Sequence, residues 1–153
     1  MSLIIATGSN LGDSLDILKA TKYRLDETFG LVAASRIFSS SAVEYLNQPD
    51  FFNQVLELRL PKSSPQEVMS YLLRLEEEFG RRRDIPKGPR TLDLDIIFWE
   101  MQKISDEGLV IPHPRWAERS FVVKPLQDLP FFKTIEKCFT IPKTFDVDAS
   151  PIL

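Results

Sequence analysis

Two hydrophobic periods take turns along the chain. Leu3-Ile4-Ile5-Ala6 is an unbroken apolar run ending at Gly8, the pattern of a short buried strand. After the turn Gly8-Ser9-Asn10-Leu11-Gly12, Asp13 is placed to cap a helix that runs to about Phe29 and stops at Gly30. Leu15, Leu18, Leu25 and Phe29 form its apolar face. Leu31 to Phe38 predicts a second strand, and the polar stretch Ser39 to Asp50, which contains Pro49, predicts a loop. From Phe51 to Leu60 the pattern alternates, with Phe52, Leu56, Leu58 and Leu60 on one side and Asn53, Val55, Glu57 and Arg59 on the other. Ser64, Pro65 and Glu67 then spell a capped helix start. Val68, Leu72, Leu75 and Phe79 follow at helical spacing, and Gly80 ends the run. Thr91 to Trp99 predicts a strand with Leu92, Leu94 and Ile96 on one face. Lys103-Ile104 and Leu109-Val110 suit a small hairpin, and a short helix is expected from about Ser120 to Asp128.

The order β-α-β-β-α-β predicts an α+β fold of the ferredoxin-like split type, with two helices on one face of an antiparallel sheet. A hairpin and helix extend it. The other face of the sheet is left for a ligand or for the C-terminal segment. Without repeats, linkers or low-complexity tracts, residues 1–153 are expected to form one domain, and that length suffices for one well-buried core. No apolar run reaches the roughly 18 residues of a membrane span. The first residues carry no basic leader, so a cytoplasmic protein without membrane contact is expected. A single cysteine, Cys138, excludes an internal disulfide, and one Cys with one His excludes a common zinc site.

The net charge of −3 argues against binding nucleic acid over the whole surface, but it hides a local asymmetry. Arg81 to Arg90 holds four Arg and one Lys against Asp84, on Gly/Pro-rich backbone that reads as a mobile loop. Just beyond, Asp93 and Asp95 lie two apart on the predicted strand, so both carboxylates point away from Leu92, Leu94 and Ile96. At ~6 Å and an effective dielectric near 20, their repulsion costs about 3 kcal/mol. The pair either faces water or shares a cation. Next to a guanidinium-rich loop it suits Mg²⁺ and polyphosphate, because Mg²⁺ takes carboxylate and phosphate oxygens and Arg pairs bidentately with phosphate. Taken alone, the Arg run reads first as a solvated basic loop, or as a nucleic-acid or membrane patch. His113, between two prolines, is either a phosphate donor or a structural turn residue. Glu76 either accepts from a ribose hydroxyl or is solvated. No G-x-x-x-x-G-K-[ST] and no G-x-G-x-x-G occurs.

Gly88-Pro89-Arg90-Thr91-Leu92-Asp93-Leu94-Asp95-Ile96 strongly resembles the signature of the 6-hydroxymethyl-7,8-dihydropterin pyrophosphokinases of folate synthesis. Gly8 to Gly12, Gln48 to Asn53, Glu76 with Gly80 to Arg83, and Ile111 through Arg119 to Phe121 resemble further segments of that family in the right order. The resemblance covers residues 3–129 and leaves 130–153 unassigned. It implies transfer of pyrophosphate from ATP to the pterin hydroxymethyl group, giving AMP. It also implies two Mg²⁺ ions on Asp93 and Asp95, with Arg81, Arg83, Arg90 and Arg119 on phosphate oxygens and His113 on the nucleotide phosphates. Glu76 would lie at the nucleoside. Phe51 and Phe121 would sandwich the pterin, and Asn53 with Ser40, Ser41 and Val43 would read its edge, Asp93 lying alongside. Lys87 replaces a common loop aromatic, and Ser40 to Glu44 departs from the family's usual loop. The expected partners are these small molecules and the expected state is a monomer. The competing reading is a non-catalytic RNA- or ligand-binding module on the same fold.

Overall fold

The computed structural model describes residues 1–41, 47–81, 89–106 and 108–152. In chain order the elements are β1 (Ser2–Ser9), α1 (Ser14–Phe29), β2 (Leu31–Ala34), β3 (Phe38–Ser40), β4 (Phe51–Arg59) and α2 (Pro65–Glu78). They continue with β5 (Asp93–Trp99), β6 (Ile104–Asp106), β7 (Leu109–Ile111), α3 (Ser120–Leu126), α4 (Phe132–Cys138) and β8 (Ser150–Pro151). The main sheet runs β5-β1-β4-β3-β8, with β2 also against β4, and every neighbour is antiparallel. β6 and β7 form the expected hairpin. The class is α+β.

The start of α2 is as the sequence dictates. Ser64 Oγ accepts from the Glu67 amide, the Glu67 carboxylate reaches back to the Ser64 amide, and Pro65 opens the first turn. α1 differs in detail. Asp13 precedes it but makes no capping bond, and Leu15 is largely exposed. The buried stripe is Ser14, Leu18, Thr21 and Leu25, because 100° per residue carries Leu15 to its rim. Gly30 ends α1 at φ +88°, and the Asp26 carboxylate accepts from the Leu31 amide just beyond.

The expected strand from Leu31 to Phe38 is broken, and strand structure resumes where a loop was expected, at Phe38–Ser40. Ser35 causes the break. Its amide donates to Val55 O, its hydroxyl accepts from the Val55 amide and donates to Arg36 O, and its carbonyl accepts from Gln54 Nε2. A side chain thus replaces part of the backbone ladder.

The sheet separates two apolar layers. On one face, Leu3, Ile5, Leu56, Leu58, Leu94 and Ile96 pack with Leu25 of α1 and Val68, Leu72 and Leu75 of α2. On the other, Ile4, Val55, Ile97 and Phe98 pack with Val122, Val123 and Leu126 of α3 and with Ile135 of α4. Burying one aliphatic side chain in such a layer is worth about 1.5–3 kcal/mol. The second face is therefore covered over part of its area by residues from α3 onward. A bulge in β5 makes this possible: the register slips between Ile4 and Ile5, so Ile97 and Phe98 both turn to the second layer while Trp99 returns to the first. Glu57 is buried between the layers' edges, accepting from Ser2 Oγ and from the Phe131 amide.

Candidate active site

Residues opposite one another in adjacent antiparallel strands share a face. Across the end of the sheet, Phe38, Asn53, Gly8 and Asp93 lie in one row, and Val55, Ala6 and Asp95 in the next. Ser40 and Phe51 are paired one step outward. All of them belong to the face away from α1 and α2. β1 supplies its smallest side chains here, Ala6 and Gly8, which opens a shallow trough between Asn53 and the aspartates. Gly8 leaves no room to spare: a methyl group there would lie 2.7 Å from Asn53 Nδ2.

The expectation that Asp93 and Asp95 share a face opposite Leu92, Leu94 and Ile96 holds, since those three are buried and the aspartates half-buried. Arg81 Nη1 donates to Asp93 Oδ1 at 2.9 Å and to Glu76 Oε2 at 2.8 Å. Arg90 Nη1 donates to Asp93 Oδ2 at 3.2 Å. Glu76 Oε2 also accepts from the Leu94 amide at 2.8 Å, so a carboxylate at the end of α2 is fixed onto β5. Partial burial makes these charges costly, and the pairing of opposite signs offsets that cost. Among the described residues Arg81 Nε is buried without a hydrogen-bond partner.

Asp95 has looser company. Arg119 Nη1 stands 3.9 Å from Asp95 Oδ2, beyond hydrogen-bond reach. Burial, and then the charge on Asp93, push the Asp95 carboxyl up to about 6, with Arg119 opposing them. Both outer arginines sit over aromatic rings, Arg90 at 4.8 Å from the Phe51 centroid and Arg119 at 5.7 Å from that of Phe121. Ser40 Oγ lies 3.4 Å from Asn53 Oδ1.

His113 is held through both its backbone and its ring. Its amide donates to Ile97 O at 3.0 Å, two residues past Asp95 on β5. The Arg115 amide donates to His113 Nδ1 at 3.1 Å, which places the proton of the neutral imidazole on Nε2.

The fold thus brings Glu76, Arg81, Arg90, Asp93 and Phe51 into one contact chain, Asp95, Arg119 and Phe121 into a second, and Ser40 and Asn53 into a third. Ser41 is exposed at the end of β3. Val43 and Arg83, with Lys87 and Gly88, lie outside the described residues. Asn10 was missed as a site residue. It is buried, its amide nitrogen donates to Gln48 Oε1 and Pro49 O, its Oδ1 accepts from the Arg90 amide, and its own amide donates to Arg90 O. One side chain so ties the end of β1 to the segment before β4 and to Arg90, three residues before Asp93. Its place between two glycines was the available signal, since a turn that tight faces a polar side chain inward only when backbone groups await it.

Chemically, the arrangement offers hard oxygen donors beside permanent cations, next to an aromatic and amide patch. Among the described residues no cluster of three or more His, Cys, Asp or Glu forms a metal cage. None of the described helices is long and apolar enough to cross a membrane.

Residues 4–130 match the family model described as 7,8-dihydro-6-hydroxymethylpterin-pyrophosphokinase (HPPK). The chain is 38% identical over 129 residues to the "Folic acid synthesis protein fol1" of Pneumocystis carinii, covering 84% of this chain and 17% of that protein. It is 38% identical over 129 residues to the mitochondrial "Folate synthesis bifunctional protein" of Arabidopsis thaliana, covering 83% of this chain and 23% of that one. With the "2-amino-4-hydroxy-6-hydroxymethyldihydropteridine pyrophosphokinase" of Bacillus subtilis it shares 35% identity over 127 residues, 82% of this chain and 75% of that protein. It therefore spans less than a quarter of the first two relatives and three quarters of the third. With the family model matched over most of its length, and with the signature aspartates held together on β5, the chain belongs to the 7,8-dihydro-6-hydroxymethylpterin-pyrophosphokinase family.

Proposed function

We propose that the chain transfers pyrophosphate from ATP to the hydroxymethyl oxygen of 6-hydroxymethyl-7,8-dihydropterin, releasing AMP, as a step of folate synthesis. The observation that carries this reading is the placement of Asp93 and Asp95 on one sheet face, with Arg81 and Arg90 on Asp93 and Arg119 beside Asp95. In the transfer the acceptor oxygen bonds to the β-phosphorus as the bond from that phosphorus to the AMP oxygen breaks. Such transition states are loose, so the protein's work is alignment and charge neutralisation.

The donor set fits Mg²⁺, which is commonly held by one or two carboxylates and substrate phosphates. Asp93 and Asp95 would hold two such ions. When bound, Mg²⁺ offsets charge on the phosphate oxygens. Arg81, Arg83, Arg90 and Arg119 would pair with those oxygens, and the buried, unpartnered Arg81 Nε supports that role for its side chain. Asp93, which now accepts from Arg81 and Arg90, would be available to a cation once those guanidinium groups turned to phosphate. His113 would donate from Nε2 to the nucleotide, and Glu76, besides orienting Arg81, would lie toward the nucleoside. Phe51 and Phe121 would hold the flat acceptor, with Asn53, Ser40, Ser41 and Val43 at its polar edge and Asp93 alongside.

The strand order β5-β1-β4 with β2 and β3 at the far side supports a ferredoxin-like split core. A single cytoplasmic chain acting on small molecules is the simplest form of this proposal. Its test is one incubation with ATP, Mg²⁺ and hydroxymethyl-dihydropterin. AMP and the pterin diphosphate are the expected products. Formation of ADP, or full activity with excess chelator, refutes it.

A further inference from the structure

The family match ends at Pro130, yet the segment 147–152 is tied to the candidate site at two points. Ser120 stands between Arg119 and Phe121 at the start of α3 and is fully buried. Its hydroxyl donates to Val147 O at 2.6 Å and accepts from the Ala149 amide at 2.8 Å. One turn on, Lys124 Nζ donates to Ala149 O at 2.8 Å and pairs with Asp148 Oδ1 at 2.6 Å. The segment then crosses to the sheet edge. Ser150 and Pro151 pair with Ser39 and Phe38, and the Ile152 amide donates to Ile37 O at 3.0 Å. The next residue of β3 is Ser40, paired with Phe51 and in contact with Asn53.

Resting on the function proposed above, we infer that residues 147–152 are a positioning clamp for the pterin side of the site. The segment connects the element that carries Phe121, one wall of the proposed slot, to the strand whose Ser40 lies at the slot's polar edge and is paired with Phe51, the other wall. All of the bonds just named run to α3 and to the edge formed by β3 and Ile37, so the clamp sets the acceptor slot; on the phosphate side it borders Arg119, next to Ser120, and none of these bonds reaches Glu76, Arg81 or Arg90. Ala149 of this segment is fully buried, but among the described residues neither apolar layer draws on 147–152, so the clamp lies at the margin of the fold's two cores. Preorganising a slot in this way lowers the ordering cost of binding and is read as affinity.

The experiment compares the full chain, a chain ending at Asp146, and the variants Lys124→Met and Lys124→Arg, with ATP and hydroxymethyl-dihydropterin varied separately. Truncation should raise KM for the pterin about tenfold and leave KM for ATP within about twofold, measured below a melting temperature that falls because the buried Ser120 hydroxyl loses both partners. Lys124→Met should show the same split on a smaller scale, and Lys124→Arg, which keeps the donor, should restore it. Both KM values rising together, or neither moving, overturns the clamp. If the truncated chain does not fold, the two Lys124 variants decide by the same criterion. A full chain without turnover refutes the proposed reaction and this inference with it; turnover that truncation leaves unaltered refutes the clamp alone.

Discussion

The two faces of the central sheet are made by the same strands and come out differently. Toward α1 and α2, the inward residues of β1, β4 and β5 are Leu3 and Ile5, Leu56 and Leu58, Leu94 and Ile96, an unbroken aliphatic layer. On the opposite face the same strands change character partway along. β1 steps from Ile4 to Ala6 to Gly8, β4 from Val55 to Asn53 to Phe51, and β5 from Phe98 to Asp95 to Asp93. Half of that face is core under α3 and α4, and half is the trough with the charged and aromatic groups. The difference teaches that a site need not interrupt a fold. A taper in side-chain volume along one strand, matched by polarity on its neighbours and with a single bulge in β5, converts core into site.

Four substitutions would break or sharpen that contrast. Asp95→Ala should reduce turnover about a thousandfold, about 4 kcal/mol of transition-state stabilisation, while the melting temperature stays level or rises. The same change deletes a proposed cation ligand and removes a carboxylate from beside Asp93, and steady-state kinetics with a thermal melt separates the two effects. Leu72→Ala on the helix side should do the reverse: about 3 kcal/mol of stability lost, read in denaturant, with KM values unchanged for the folded fraction. Gly8→Ala lies between them. Its methyl group must push Asn53 aside, so kcat/KM for the pterin should fall about tenfold, or about 1.4 kcal/mol, with a small loss of stability. The smallest effect belongs to Asp128. Partial burial pushes its carboxyl up, but bonds from the Arg36 amide and guanidinium outweigh this and hold it below its usual value. A lowered folded pKa means stability present above the ordinary carboxylate range near 3.9 and lost as pH falls through the folded value. Asp128→Asn should therefore lower Tm by about 1–2 °C at pH 7, and the deficit should close below about pH 4.

Much of the fold was legible because local rules and burial agree. The Ser64-Pro65-Glu67 start of α2, its Val68-Leu72-Leu75 stripe and the alternation of β4 all follow directly from spacing. The departures come from side chains that act on backbone. The Ser35 hydroxyl breaks an edge strand that propensity favours, and a one-residue bulge sends Ile97 and Phe98 to the same side, where alternation would part them. α4, with the segment beyond it, was not foreseen, because seven residues and a two-residue strand carry too little period to register. Within the site, the sequence placed Asp93 and Asp95 together and set Arg81, Arg90 and Arg119 nearby. It could not show that Arg81 bridges Glu76 and Asp93, since that contact joins residues on separate elements, nor that Asn10 locks the Arg90 backbone.

The absent side chain at Gly8 also bears on how such a site could escape a competitive inhibitor. A larger residue there is the simplest way to wall off the floor of the trough against a bulky drug. Yet the first atom added already collides with the amide that the proposed acceptor relies on, so exclusion of the drug and exclusion of the substrate arrive together. An inhibitor whose core rests on that bare backbone would leave resistance to come from the rim.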